Sequence, residues 1–167
     1  MAGLFLPGEP ETLALGAALA RCLPEGWDNP ALCLQAGLAS GKTTLTRGLV
    51  EALPGGDQAE VASPSFNLAN VYPTTPQVVH VDLFRLGEGL PGADLDEILE
   101  SLHAGAARLL VVEWAEYLPP GFLPADHLLV RLEEQGDGRE ATLTANGPWA
   151  ARWLQRINAT SSQSGSS

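Results

Sequence analysis

The chain has 167 residues, of which 45% are hydrophobic and 17% charged, with a net charge of −11. Size and composition suit one soluble globular domain with a substantial core, over residues 1–158, followed by a short Ser-rich tail over 159–167. The acidic balance, with no basic run to offset it, argues against direct nucleic-acid binding, which needs clustered Lys and Arg to neutralise phosphates.

Gly3 to Leu6 is expected to form a first strand. Glu11 to Leu23 follows as a helix with Leu15, Leu19 and Cys22 on one face. Glu25 to Pro30 is a loop, and residues 32–35 a short buried strand. A loop of small residues leads from it into a helix over Thr43 to Leu53, with Leu45, Leu49 and Leu53 on one face. Pro54-Gly55-Gly56-Asp57 ends that helix. A small polar loop, Ala62 to Phe66, precedes strands at Asn67 to Tyr72 and Gln77 to Phe84. Asp94 to Leu102 reads as a helix capped by Asp94, with Glu97 at the capping-box position. Arg108 to Glu113 is a strongly apolar strand. Asp126 to Glu133 and Arg139 to Ala145 form a hairpin around Gly136-Asp137-Gly138, and Pro148 to Ile157 a last helix. Residues 159–167 are expected to be disordered. Strands alternating with helices predict an α/β fold: a P-loop-like, mostly parallel sheet flanked by helices, with antiparallel strands at one edge.

The loop from Ala36 to Thr43 reads AGLASGKT and departs from the phosphate-binding pattern G-x-x-x-x-G-K-[ST] at the first position alone. Alanine can fill that position if φ is negative. The small residues Gly37, Ala39, Ser40 and Gly41 let consecutive backbone N–H groups wrap an anion. Thr44 follows in the first helical turn, whose free N–H groups and dipole favour negative charge. Lys42 would reach the β- and γ-phosphates and the Thr43 hydroxyl would bind Mg²⁺. Lys42 is the only lysine in the chain, beside eight arginines.

Hydrolysis needs a metal held from a second strand and a group that orients water. Asp82 ends the apolar run from Val78, and Glu113 ends that from Leu109. Either acid could hold Mg²⁺ or position water, and the spacing leaves the two roles open. His80 shares a strand face with Asp82 and could orient it; a core histidine is the competing reading. Ser63, Pro64 and Ser65 could form a switch that senses the γ-phosphate. Arg85 lies just beyond Asp82, as a phosphate contact or a surface ion pair. Trp114 follows Glu113 and could pack under the site.

Taken together, AGLASGKTTLTRGL, SPSFNLANVY, HVDLFRL and VVEWAEYLP resemble, in order and spacing, the bacterial TsaE (YjeE) family of small P-loop ATPases. The resemblance runs from about Glu11 to about Gly147. It implies ATP and Mg²⁺ as cofactors, a role in forming threonylcarbamoyladenosine on tRNA, and a TsaB–TsaD complex as partner, with tRNA met only indirectly. By position it assigns Lys42 and Thr43 to phosphate and metal, and Ser63 to Phe66 to a switch-like loop. It also assigns Asp82, Glu113 and Trp114 to the site, and Glu11, Thr12 and Gly16 to a helix near the adenine. Ala36, Gly37, Ala39 and Ser40 stand where the family writes G, D, G and A; Ser65 stands for threonine and Phe84 for tyrosine.

Two other readings compete. A small-molecule P-loop kinase would carry an arginine-rich lid, and the arginines here are scattered. A non-hydrolysing, nucleotide-dependent adaptor needs only the loop and the switch. A GTPase would need the lysine of an N-K-x-D motif, and no second lysine exists. The start, MAGLFLPGEPETL, has no basic region or long apolar stretch, so a signal peptide is not expected. No apolar run reaches the roughly eighteen residues of a membrane span. A cytoplasmic protein is expected.

Overall fold

Seven strands form one sheet in the order β1-β7-β6-β2-β5-β4-β3. The strands are β1 Ala2–Leu6, β2 Ala31–Ala36, β3 Ala69–Tyr72, β4 Gln77–Asp82, β5 Arg108–Glu113, β6 His127–Gln135 and β7 Gly138–Asn146. The helices are α1 Glu9–Cys22, α2 Lys42–Ala52 and α3 Pro148–Ser164. This computed structural model describes residues 2–37, 40–64, 69–88, 96, 100, 108–118 and 121–164. The helix expected over Asp94–Leu102 falls largely outside the described residues, as do Ala39, Ser65 and the start of the strand expected at Asn67.

The four central strands, β6, β2, β5 and β4, run parallel. The β6–β7 hairpin, with β1 added to it, makes one edge antiparallel, as expected. The other edge is antiparallel too, because β3 folds back on β4. Along the parallel strands, alternate residues feed two cores. Leu32, Leu34, Val78, Leu109 and Val111 face α1, α2 and α3, whereas Ala31, Cys33, Val79, Val81, Leu110 and Val112 pack on the opposite side. The side chains of His80, Asp82 and Glu113 keep that parity and therefore emerge on the helical face.

Most element ends lie within one or two residues of expectation, and two of the departures have a visible cause. Strand β4 stops at Asp82 rather than Phe84, because Asp82 Oδ1 accepts a bond from Phe84 N (2.9 Å) and Phe84–Glu88 winds into a 3-10 turn. Helix α3 continues to Ser164, through the segment whose composition suggested a tail. Its hydroxyls are satisfied inside the helix: Thr160, Ser161 and Ser162 each donate to a carbonyl three or four residues earlier. Cys22 Sγ meets Thr160 Oγ1 at 3.3 Å and ties this turn to α1. Asp126 caps the start of α3 by accepting from the N–H groups of Trp149 and Ala150.

Helices α1 and α2 cross where Gly16 and Gly48 leave room. A Cβ on Gly16 would lie 2.1 Å from the Leu45 carbonyl oxygen, and one on Gly48 2.2 Å from that of Leu13. This backbone-to-backbone crossing brings the first turn of α1 beside the first turn of α2.

Candidate nucleotide site

Strand β2 sits between β5 and β6, and the chain leaves its carboxyl end through residues 37–41 into α2. Ala36 is the last strand residue, not a turn residue. Among the described residues, Trp114 alone takes a positive φ without being glycine, so Ala36 meets no left-handed penalty. The tight step comes later, at Gly41, whose φ of 96° precedes α2. The Thr12 methyl group packs at 3.4 Å from where a Gly41 Cβ would lie.

Lys42 is 6% exposed, and its ammonium folds back on the loop. It donates to the carbonyl oxygens of Ala36 (3.0 Å) and Gly37 (2.8 Å) and to Ser40 Oγ (3.3 Å). Ser40 Oγ donates in turn to Gly37 O. The ammonium also lies 4.1 Å from the centroid of the Trp114 ring, a cation–π contact. Burial pushes Lys42 below its ordinary 10.5, while the nearby carboxylates of Glu113, Glu116 and Asp82 pull it back up. Trp114 reaches this position because its backbone is left-handed (φ 58°, ψ 40°), a conformation that costs a non-glycine residue about 1–2 kcal/mol. Stacking on Tyr117 and contact with Phe84, at centroid distances of 5.3 and 5.1 Å, help to hold the indole there.

The two acids are register partners at the ends of adjacent parallel strands. Asp82 is held through both oxygens: Oδ2 accepts from Ser63 Oγ (2.9 Å) and Oδ1 from Phe84 N. Glu113 is held through one. Its Oε1 accepts from His80 Nε2 at 2.8 Å, and the imidazole is fully buried. His80 therefore orients Glu113 on the neighbouring strand, not Asp82 on its own.

A cleft of about 520 Å³ opens over these groups. Ser40, Gly41, Lys42, Thr43, Thr44, Ser63, Asp82, Glu113 and Trp114 line it, so the structure brings together most of the expected site. Thr12 lines it as well, its hydroxyl donating to Gly8 O (3.2 Å). Glu11 does not: it faces a separate groove between β1, α1 and α3. Glu9, one helical turn before Thr12, takes its place at the rim. Pro64 is buried beside Ser63, and Arg85 is exposed and lines no part of the cleft. Arg139, which the sequence did not single out, comes from the start of β7, and its Nε lies 3.7 Å from where a Gly41 Cβ would be. The one available signal was its place just after the hairpin turn, beside the sheet's carboxyl end.

Among the described residues no three His, Cys, Asp or Glu side chains gather into a metal cage. The oxygen donors expected to face a metal at the strand ends are the Asp82 and Glu113 carboxylates and the Thr43 hydroxyl. That set is too small for a self-standing ion but fits Mg²⁺, which binds through one or two carboxylates together with substrate phosphates.

Residues 6–141 match the model of the family described as "Threonylcarbamoyl adenosine biosynthesis protein TsaE". The chain belongs to the TsaE family. Relatives named tRNA threonylcarbamoyladenosine biosynthesis protein TsaE include that of Streptomyces coelicolor, 38% identical over 148 residues, covering 81% of this chain and 92% of the relative. The TsaE of Haemophilus influenzae is 31% identical over 148 residues, covering 84% and 87%. Among solved structures, that of YdiB from Bacillus subtilis superposes with a TM-score of 0.72 at 25% identity, covering 96% of this chain and 95% of that one. The TsaE-family chain has, among its described residues, no helix long and apolar enough to cross a membrane.

Proposed function

We propose that this protein is a cytoplasmic, Mg²⁺-dependent ATP hydrolase that supports a TsaB–TsaD-type complex in forming threonylcarbamoyladenosine on tRNA. The observation that carries the reading is the convergence of Lys42, Thr43, Asp82 and Glu113 on one cleft at the carboxyl ends of three parallel strands. Membership of the TsaE family supplies the pathway.

The N–H groups that open α2 and the Lys42 ammonium bind the β- and γ-phosphates. Lys42 must then exchange its loop carbonyls for phosphate oxygens, which the Trp114 face permits without moving the charge far. Arg139 supplies a second cation from the opposite wall. Thr43 and Glu113 would hold Mg²⁺; when bound, the ion neutralises charge on the phosphate oxygens. Glu113 takes this role because it lines the cleft and His80 engages only its Oε1. Asp82, fixed through both oxygens, orients the attacking water with its remaining lone pairs, and Ser63 carries that position into the switch segment. The acidic surface suits a protein partner, so tRNA is met through the complex.

The test is ATP hydrolysis by the purified protein with Mg²⁺, alone and with a TsaB–TsaD pair plus tRNA. Turnover should rise with the partners and be lost in Lys42→Ala. ATP binding without hydrolysis in either condition would replace the reading with that of an adaptor, and a phosphorylated acceptor with that of a kinase.

A further inference from the structure

A chain of polar contacts crosses the buried face of the sheet behind the cleft. Tyr72, at the end of β3, is 4% exposed and belongs to the main apolar core. Its ring is accounted for by that packing; its hydroxyl is not. The hydroxyl lies 3.1 Å from the carbonyl oxygen of Ala62, to which it donates, and 3.2 Å from His80 Nδ1. His80 passes the connection on through Nε2 to Glu113. Burial pushes the Tyr72 phenol above its ordinary 10.0 and keeps it neutral. A buried hydroxyl and a buried imidazole are each costly without partners, and here the hydroxyl and both ring nitrogens lie within hydrogen-bond distance of one.

The outer end of this chain is significant. Ala62 precedes Ser63, whose hydroxyl donates to Asp82. Two consecutive residues of one segment are thus tied to two neighbouring carboxylates, one directly and one through Tyr72 and His80. Asp82 and Glu113 are themselves register partners. The segment cannot shift without disturbing both.

We infer that Tyr72 is a positioning residue: through His80 it fixes the Glu113 carboxylate and couples that carboxylate to the backbone of the 61–64 segment. The inference rests on Glu113 serving Mg²⁺–nucleotide, as proposed above. Tyr72 never touches the nucleotide. It acts on the metal-dependent part of binding and leaves the rest alone.

The deciding variant is Tyr72→Phe, which keeps the ring and removes the hydroxyl. Two readouts are used, neither of them hydrolysis. The first is the affinity for a fluorescent, non-hydrolysable ATP analogue with and without Mg²⁺. The second is amide hydrogen exchange across residues 61–64, reported by the N–H groups of 61–63 because Pro64 has none. Tyr72→Phe should leave metal-free affinity within about twofold, because among the described residues the hydroxyl's partners, Ala62 and His80, make no hydrogen bond to the loop before α2. The Mg²⁺-dependent gain should fall roughly threefold to tenfold, below the 10–100-fold typical of a ligand's direct partner. Exchange at 61–64 should rise.

Asn70→Ala is the control. Asn70 Nδ2 also donates to Ala62 O (3.1 Å), and its side chain interacts with the Tyr72 phenol, so this variant loosens the segment and the phenol while leaving the Tyr72–His80 contact in place. That variant should loosen the segment yet keep the Mg²⁺ gain within about twofold. An equal loss of affinity with and without metal in Tyr72→Phe would reduce Tyr72 to packing and overturn the inference, as would no change in either readout. If Tyr72→Phe does not fold, the parent decides: Mg²⁺–analogue must slow exchange at 61–64 more than the analogue alone, and equal slowing overturns the coupling. A parent with a Mg²⁺ gain but no turnover defeats the hydrolase reading and leaves this test standing. A parent with no Mg²⁺ gain defeats both.

Discussion

Gly48→Ala is the substitution whose sign separates local from tertiary reasoning. Within a helix, replacing Gly by Ala should stabilise by about 1 kcal/mol through propensity. Here the new methyl would sit 2.2 Å from the Leu13 carbonyl oxygen and 2.9 Å from Leu13 Cα. Both obstacles are backbone, so no side-chain rotation relieves them. Helices α1 and α2 must part by about 1 Å to restore ordinary contact. Overpacking of this kind costs about 1–3 kcal/mol, and a backbone clash belongs at the upper end. After the propensity gain, a net loss of about 2 kcal/mol remains. For a chain of this size each kcal/mol moves Tm by about 2–4 °C, so Gly48→Ala should melt about 4–8 °C below the parent. Because Glu9 and Thr12 ride on α1 and line the cleft, nucleotide affinity should fall as well. The assay is thermal and urea unfolding of parent and variant, followed by nucleotide titration of the folded variant. A variant as stable as the parent, or more so, would refute the crossing as drawn. Adding Gly16→Ala should cost less than the sum of the two singles, since both open the same contact.

Lys42→Ala should reduce turnover at least about 100-fold while leaving the fold intact, as measured by phosphate release and far-UV circular dichroism. Glu113→Gln should lose turnover comparably but melt close to the parent, because an amide oxygen can still accept from His80. Glu113→Ala should melt lower than Glu113→Gln by the equivalent of about 1–3 kcal/mol, because it strands a buried His80 N–H; equal melting points would count against the His80–Glu113 bond. Burial pushes the Cys33 thiol from an ordinary 9.0 up to about 12. The fold therefore keeps the thiol neutral where the unfolded chain ionises. The stability it contributes is present below pH 9 and is lost as pH rises toward about 12, at up to about 1.4 kcal/mol per pH unit. Urea unfolding at pH 8 and 10.5 should show a loss in the parent about 2 kcal/mol larger than in Cys33→Ala, and equal losses would refute the assignment.

That the loop before α2 and the two strand-ending acids would meet in one cleft was legible because each is a local pattern: small residues before GKT, and an acid closing an apolar run. The parallel centre of the sheet followed from alternation of strand and helix. What escaped depended on distance in sequence. His80 was paired with Asp82 by strand parity, yet its partner is Glu113 across the ladder, and only the β4–β5 register places the two together. Arg139 is 97 positions from Lys42, and no local signal joins them. Glu11 and Glu9 both belong to the first turn of α1, and which of them faces the cleft depends on how that helix rolls on α2 at Gly16 and Gly48. The end of α3 was missed because serine-rich composition says nothing of hydroxyls that bond back into their own helix.

The order of the strands also bears on how the molecule is made. β1 has its neighbour in β7, and β2 has one neighbour in β6, so the first strands synthesised wait for the last. Until the hairpin has left the ribosome, β1 has no ladder and the cleft lacks the wall that carries Arg139. Long-range pairing of this kind makes folding slow and leaves apolar strand edges open meanwhile. A nascent chain that ends before residue 138 holds the loop before α2 and both acids, yet lacks the strand β7 that brings Arg139 to the cleft.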